Sequence, residues 1–207
     1  MEELKIQIPL FHVDTQKNNE NFIMGGTLPP SLEDGDWAGK GVYFWDNLGN
    51  AQYWLKEKNR KNQKQKYNIV RTYLSVPANE VLDLTEPTEI RSFEESISTM
   101  QRMKLLDKKI GTKHKGAIIN AYWKVLNSFG NATLFSVVKV IGYYPKINNS
   151  IYFKENDTQK NIQPYVTIKG KVIYAIRDLQ VLSDNYRKII EVKEERLWVL
   201  NYLQLLN

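Results

Sequence analysis

The chain has 207 residues, of which 42% are hydrophobic, 12% aromatic and 25% charged. This length suits one or two domains of roughly 100–200 residues each. No Pro/Gly/Ser-rich linker divides the chain, so we predict a single domain over residues 1–207. There is no cysteine and there are only two histidines, which excludes a disulfide framework, thiol catalysis and a multi-histidine metal site.

The first residues are acidic and lack the apolar core of a secretion signal, and no apolar run approaches the roughly 20 residues of a membrane span. We therefore expect a cytoplasmic protein with no membrane partner. The formal net charge is +6, and the excess lies in two runs. Residues 56–66 hold six basic residues and one acidic residue, and residues 104–115 hold five lysines and one aspartate. Each run is either a solvated surface or a surface that meets a polyanion such as nucleic acid.

Hydrophobic periodicity and turn residues predict the elements in chain order. Strands are predicted over residues 7–12, 41–45, 68–76, 80–84, 133–143, 164–168 and 171–177. Helices are predicted over residues 16–24, 48–61, 88–107, 115–128 and 184–205. Gly25 and Gly26 end the first helix, residues 27–38 form a loop, and Ser183 or Asp184 caps the last helix. The helices are grouped and do not alternate regularly with strands, which favours an α+β fold over an alternating βαβ fold.

The apolar end of the last predicted helix, from Leu197 to Leu206, is expected to dock on the core or on a second subunit. The densest chemical signal lies elsewhere, in residues 37–54. Gly39 and Gly41 precede an aromatic strand, where the lack of a side chain lets a ligand or another backbone approach closely. Five aromatic residues then fall within 12 positions: Tyr43, Phe44, Trp45, Tyr53 and Trp54.

Alternation along a strand directs Tyr43 and Trp45 to one face and Phe44 to the other. One face therefore belongs to the core, and the other is either core as well or a wall on which a flat ligand stacks. His12 ends the apolar stretch of the first strand. It is either a structural residue or a hydrogen-bond donor to a sugar hydroxyl at the end of that strand.

One ordered set of features resembles the ADP-ribosyltransferase superfamily. It consists of Phe11-His12, a helix, Gly25-Gly26, a loop and then Gly39-Lys40-Gly41-Val42-Tyr43-Phe44. The similar branch is the one related to poly(ADP-ribose) polymerases and diphtheria toxin. Asn50-Ala51-Gln52-Tyr53 matches the Ser-Ala-x-Tyr that follows the Gly-x-Gly-x-Tyr-Phe strand in that branch. Leu82-Asp83-Leu84 is similar to a strand of uncharacterised bacterial relatives. The resemblance implies a split antiparallel β-sheet with flanking helices that clamps NAD+ as a co-substrate.

The resemblance also implies a role for each matched residue. His12 would bind the ribose and adenosine side of NAD+, Tyr43 would stack on the nicotinamide ring, and Tyr53 would close its other face. Such an aromatic sandwich holds a flat cationic ring with about 0.5–2 kcal/mol per aromatic partner. The implied cofactor-binding residues are His12, Val13, Gly41, Tyr43, Asn50 and Tyr53.

Three positions depart from the common family pattern. Val13 stands where the family has glycine, although its backbone amide can still hold the nicotinamide amide. Asn50 stands where the family usually has a serine that contacts that amide. The late strand carries Ile173 where the family has glutamate or glutamine, as in members that transfer a single ADP-ribose. Gln163 and Glu155 are the alternatives for a polar catalytic group.

Three functions follow from these observations. The first is a mono-ADP-ribosyltransferase, a glycosyltransferase that moves ADP-ribose from NAD+ to nucleic acid or protein with His12, Tyr43 and Ile173 as catalytic residues. Family association adds a toxin or phage-defence role, with an antitoxin or inhibitor protein as partner. The second is a catalytically silent module of the same fold that binds NAD+ or ADP-ribose. The third is a basic nucleic-acid-binding protein whose aromatic side chains stack on bases.

Overall fold

The computed structural model describes residues 5–31, 37–110, 115–130, 134–144 and 170–191. Within these ranges seven strands form one mixed sheet, and four α-helices flank it. The strands are β1 (Lys5–Thr15), β2 (Val42–Trp45), β3 (Tyr67–Pro77), β4 (Val81–Asp83), β5 (Val137–Tyr143), β6 (Gly170–Ile176) and β7 (Lys188–Ile190). The helices are α1 (Gln16–Ile23), α2 (Leu48–Lys61), α3 (Pro87–Arg102) and α4 (Lys115–Ser128). The class is therefore α+β, as predicted.

The strand order is β4-β5-β6-β2-β1-β3-β7. The pairing is antiparallel except between β4 and β5, which run parallel, so the prediction of a purely antiparallel sheet is wrong. The reason is the connection: α3 and α4 lie between β4 and β5 in the chain, and a long crossover returns the chain in the same direction. None of the helices in the described ranges is long and apolar enough to cross a membrane.

The sheet is joined most sparsely at its centre. β1 pairs with β3 from Lys5↔Pro77 to Thr15↔Tyr67, and β2 pairs with β6 along its whole length. Between β1 and β2 the register consists of the pair Phe11↔Trp45. Beyond this pair the two halves of the sheet are held by side chains rather than by a continuous ladder, which leaves room for a cavity.

The two faces of β2 have different surroundings. Phe44 is fully buried and packs in a core cluster with Leu10 and Phe22. Tyr43, on the opposite face, is half-buried between the apolar cluster under α3 and α4 and the cluster under α2. One face of this strand is therefore core, as predicted, while on the other face Trp45 is buried and Tyr43 is only half-buried.

Local sequence signals located several helices correctly. The side chain of Thr15 accepts a hydrogen bond from the Asn18 amide and begins α1, and Gly25, with a φ of 91°, follows its end. Asn47 caps α2 in the same way, and α2 has the predicted bounds. The predicted apolar face of α4 is also found, because Ile119 is buried and its neighbours on that face pack on the same cluster.

Other boundaries were predicted wrongly. β1 does not end on His12 but continues to Thr15, because its last residues still pair with β3. α3 begins at Pro87, with Glu86 as its cap, and ends at Arg102 rather than at residue 107. Lys104 then adopts a φ of 59°, which an α-helix does not allow. β5 begins at Val137, later than the predicted residue 133.

The prediction of a helix over residues 184–205 is wrong for residues 184–191. Asp184–Tyr186 form a 3-10 turn, and Lys188–Ile190 form β7, which pairs with β3. The Ser183 amide donates to the Tyr73 carbonyl oxygen at 2.8 Å, and the Ser183 side chain does not cap the turn. The open edge of β3 thus recruits this segment into the sheet. The predicted strand over residues 164–168 and the apolar stretch from Leu197 to Leu206 lie outside the described residues.

Candidate functional site

A cavity of about 360 Å³ lies beside the sparse join between β1 and β2. Such a volume is at the lower end of the roughly 300–1,000 Å³ typical of small-molecule sites. Its walls come from β1, β2, β6, α2 and the loop before β2. The lining residues are His12, Val13, Ser31, Trp37, Tyr43, Trp45, Trp54, Lys58, Tyr144 and Ile173. Six residues that the sequence singled out are therefore brought together: His12, Val13, Tyr43, Trp45, Trp54 and Ile173.

His12 connects the two strands that border the cavity. Its Nδ1 donates to the Tyr43 carbonyl oxygen at 2.7 Å, which sets the protonated nitrogen of a neutral imidazole. The imidazole is buried against the Phe44 ring, with the ring centroids 5.1 Å apart. Its Nε2 is buried and makes no hydrogen bond within the described residues. The imidazole therefore connects β1 to β2 through Nδ1.

Asp14 lies behind the imidazole, with Oδ2 3.6 Å from His12 Nε2. Burial of Asp14 by itself raises the pKa of its carboxyl. The His12 imidazole, the Asn18 side chain and the Thr15 amide outweigh that effect and hold the pKa well below its usual range. The Asp14 carboxylate therefore stays ionised beside the imidazole.

Tyr43 offers its ring rather than its hydroxyl to the cavity. The hydroxyl donates to the Gly39 carbonyl oxygen at 2.6 Å and accepts from the Ala38 amide at 3.1 Å. Both partners belong to the loop that precedes β2. The ring is therefore held at a fixed angle by its own chain neighbours, as a stacking surface requires.

Four further aromatic side chains complete the wall. The Trp45 and Trp54 ring centroids are 6.0 Å apart, and those of Trp37 and Tyr144 are 5.1 Å apart. Trp45 also contacts Tyr144, at 6.2 Å. Burial, together with the nearby Tyr53, raises the pKa of Tyr144, so its hydroxyl stays protonated.

Tyr144 and Lys58 line the cavity but were not predicted from the sequence. Tyr144 had no local signal, because it follows β5 and reaches the site only through the order of the strands. Lys58 had a signal: it lies four residues after Trp54 in α2, so the two side chains share one helix face. Its Nζ donates to the Val13 carbonyl oxygen at 2.9 Å. Burial lowers the pKa of Lys58, and the charge of Asp14 partly offsets this.

Gly41, Asn50 and Tyr53 do not line the cavity. A side chain on Gly41 would come within 3.0 Å of the Ile176 carbonyl oxygen, so this glycine permits close approach of another backbone. Asn50 accepts from Lys171 Nζ at 2.7 Å, and its amide donates to Asp46. The Tyr53 and Tyr144 rings make a T-shaped contact, with their centroids 6.1 Å apart. Their cofactor contacts stay predictions, and Gln163 and Glu155 lie outside the described residues.

The loop that holds Tyr43 is itself held from behind. Asn120 Oδ1, on α4, accepts from the Lys40 amide at 2.8 Å and from Arg177 Nη2 at 2.6 Å. Asn120 is buried, and burial lowers the pKa of Arg177 to about 10. Arg177 Nε is buried without a hydrogen-bond partner in the described part of the chain. This amide oxygen therefore connects α4, the end of β6 and the cavity wall.

The fold and site define an α+β protein with an aromatic cavity, bordered by a histidine, where its sheet is sparsely joined. No protein-family model and no solved structure matches the chain. The chain is similar to an uncharacterized protein of Methanocaldococcus jannaschii, with 25% identity over 211 aligned residues that cover 94% of this chain and 98% of that protein.

Proposed function

We propose that this protein is a mono-ADP-ribosyltransferase with an ADP-ribosyltransferase-like fold, which transfers ADP-ribose from NAD+ to a macromolecular acceptor. One observation carries the proposal. His12, Tyr43 and Ile173 were chosen from three distant parts of the sequence by their resemblance to family motifs, and all three line one cavity. An aromatic-lined cavity with a few polar groups is also the usual form of a site for a flat heterocyclic ligand.

The chemistry of the cavity suits cleavage of a nicotinamide glycosidic bond. The cationic nicotinamide ring would stack on Tyr43, with cation–π attraction from the neighbouring indoles. The bond between ribose C1′ and the ring nitrogen breaks, and nicotinamide leaves as a neutral molecule with the electron pair. The acceptor's lone pair forms the new bond to C1′, and its proton passes to water. The transition state resembles an oxocarbenium ion, as in glycoside hydrolysis.

His12 and Ile173 would decide what happens around the ribose. The Nε2 of His12, which makes no hydrogen bond within the described residues, would hydrogen-bond a ribose hydroxyl beside Asp14 and orient the sugar. Ile173 is apolar, and within the described residues no carboxylate lines the cavity. The described lining therefore has no carboxylate that would polarise a ribose hydroxyl for attack on a second NAD+. This supports a single transfer per acceptor site rather than chain elongation.

The test is release of nicotinamide from NAD+ labelled in its adenosine half, with the label followed onto protein, RNA and DNA fractions of a lysate. We expect the wild type to release nicotinamide and to label one fraction. Tyr43→Ala and His12→Ala should each reduce release by about tenfold or more, since an effect of that size needs only ~1.4 kcal/mol of transition-state binding. Tyr186→Ala, an equal truncation at an exposed tyrosine outside the cavity, is the matched control.

Chemical denaturation of each variant separates loss of the site from loss of the fold. Full turnover in folded Tyr43→Ala and His12→Ala would show that the site assignment is wrong. Label on the RNA or DNA fraction would identify a nucleic-acid acceptor, and label on protein would identify a protein target. A toxin or phage-defence role would follow only from the identity of that acceptor.

A second candidate, a module that binds NAD+ or ADP-ribose without turnover, also has an observation in its favour. The Val13 backbone, which is expected to hold the nicotinamide amide, already accepts a hydrogen bond from Lys58 at its carbonyl oxygen. Ile173 likewise supplies no polar group. This candidate predicts saturable NAD+ binding with no nicotinamide release, whichever acceptor fraction is added.

A further inference from the structure

Lys58 is the cationic side chain that lines the cavity. Its ammonium donates to the neutral Val13 carbonyl oxygen at 2.9 Å and lies 5.5 Å from the centroid of the Tyr67 ring. Among the residues that the structure describes, no carboxylate lies within ion-pair distance of it. Asp14 acts on Lys58 only through a longer-range attraction.

An ammonium in this setting is well suited to bind an anion. It has three N–H donors, and one of them is used by Val13. Burial lowers the pKa of Lys58, which means that its charged form has lost hydration. An anion at the mouth of the cavity would replace that hydration, and lysine is a common point-charge ligand of phosphate.

The rest of the lining favours one orientation of a phosphate-bearing ligand. Lys58 shares one face of α2 with Trp54 of the aromatic wall, while the wall's Tyr43 and Tyr144 come from other parts of the chain. A cationic ring is repelled by an ammonium and attracted by aromatic faces. The ring of such a ligand therefore belongs against the aromatic wall, and its phosphate belongs beside Lys58.

We infer that Lys58 is the phosphate-recognising residue of the cavity and binds the 5′-phosphate on the nicotinamide ribose of NAD+. This inference rests on the proposed function, because it assumes a nicotinamide nucleotide as the ligand. The inference gives Lys58, which the sequence motifs did not include, a role in specificity for ligands that carry a phosphate. The closest chemical comparison is between nicotinamide riboside and nicotinamide mononucleotide, which differ by that one phosphate.

The experiment is calorimetric titration of these two ligands, NAD+ and inorganic pyrophosphate into the wild type, Lys58→Met, Lys58→Arg and Lys56→Met. Lys56 is exposed on the same helix, so its variant is the charge-matched control. We expect the wild type to bind the mononucleotide about tenfold or more tightly than the riboside, an effect within reach of one charge-assisted hydrogen bond. Lys58→Met should abolish this preference without changing riboside affinity, and Lys58→Arg should restore most of it.

The outcomes separate the two proposals. Equal weakening of both ligands in Lys58→Met would overturn the inference, since it would mean that the lysine only ties α2 to β1 through Val13. An unchanged preference would overturn it as well. Lys58-dependent pyrophosphate binding without any nicotinamide ligand would support the anion site and contradict the proposed function. Absence of all binding to the wild type would contradict both.

Discussion

At the scale of single residues, the site depends on how His12 is held. Its Nδ1 is committed to the Tyr43 carbonyl oxygen, so the imidazole bridges the two halves of the sheet and directs Nε2 toward Asp14. The sequence motif identifies His12 as a candidate site residue, but it does not predict which groups the imidazole contacts. The partner on β2 depends on how β2 pairs with β1, whereas Asp14 lies two residues further along β1 on the same face.

Asp14 makes the folded protein sensitive to acid. Its pKa lies well below the ordinary value of 3.8, so the ionised carboxylate stabilises the folded state above that value. The stabilisation is lost as the pH falls from about 4 through the folded-state pKa. We therefore expect Asp14→Asn to reduce the free energy of unfolding at neutral pH and to flatten its decline below about pH 4.

The measurement is urea unfolding of the wild type and Asp14→Asn at a series of pH values. Glu95→Gln removes an equal charge from an exposed position on α3 and serves as the control. Asp83, whose pKa is also lowered, keeps some acid sensitivity in every variant. An acid slope that is the same in Asp14→Asn and in the wild type would contradict this prediction.

At the scale of elements, the cavity wall depends on α4, which does not line the cavity. The side-chain oxygen of Asn120 accepts one hydrogen bond from the Lys40 amide, in the loop before β2, and another from the Arg177 guanidinium, which follows β6. The position of α4 follows from its apolar face, which the sequence periodicity predicts. The inward role of Asn120 does not follow from that periodicity, because a polar residue on a helix is usually solvated.

Asn120→Ala removes an acceptor from a partly buried guanidinium and from a backbone amide. We expect a loss of about 1–3 kcal/mol in the free energy of unfolding, the usual cost of leaving such donors unsatisfied. Asn127→Ala, an exposed change of the same kind on the same helix, should stay within about 0.5 kcal/mol of the wild type. Denaturant unfolding measures both, and equal stability of the two variants would exclude the proposed connection.

At the scale of the whole molecule, the basic residues of the run at 56–66 have two different surroundings, the cavity and the solvent. In residues 56–66, Lys58 turns inward while the remaining basic side chains are exposed. Residues 104–110 add three exposed lysines after α3. Exposed lysines attract polyanions, and the attraction weakens as salt is added. The run at 56–66 is thus a candidate surface for a nucleic-acid acceptor.

If nucleic acid binds there, Lys64→Glu combined with Lys66→Glu should weaken binding of a single-stranded oligonucleotide. The slope of log affinity against log salt should also become shallower by about 1–2, since each lost phosphate contact removes about 0.7. Lys124→Glu combined with Lys188→Glu changes the net charge equally outside both runs. Fluorescence anisotropy at several salt concentrations distinguishes a local surface from a general effect of charge, which would weaken both variants alike.

The sequence by itself determined the elements that local physics controls. The Gly25-Gly26 stop and the apolar spacing of α2 and α4 act within a few residues, so α1, α2 and α4 were predicted with nearly correct bounds. Alternation in β2 likewise predicted that Phe44 and Tyr43 lie on opposite faces, and the structure shows that the Phe44 face is core. The motif resemblance named four residues that line the cavity.

Only the tertiary structure decided what depends on contacts between distant parts of the chain. The open edge of β3 made Lys188–Ile190 a strand, although the sequence favoured a helix there. The order of the strands places Tyr144 in the aromatic wall. Lys58 lines the cavity, and its Nζ donates a hydrogen bond to the Val13 carbonyl oxygen. Register and burial set these contacts, and both depend on the whole sheet rather than on neighbouring residues.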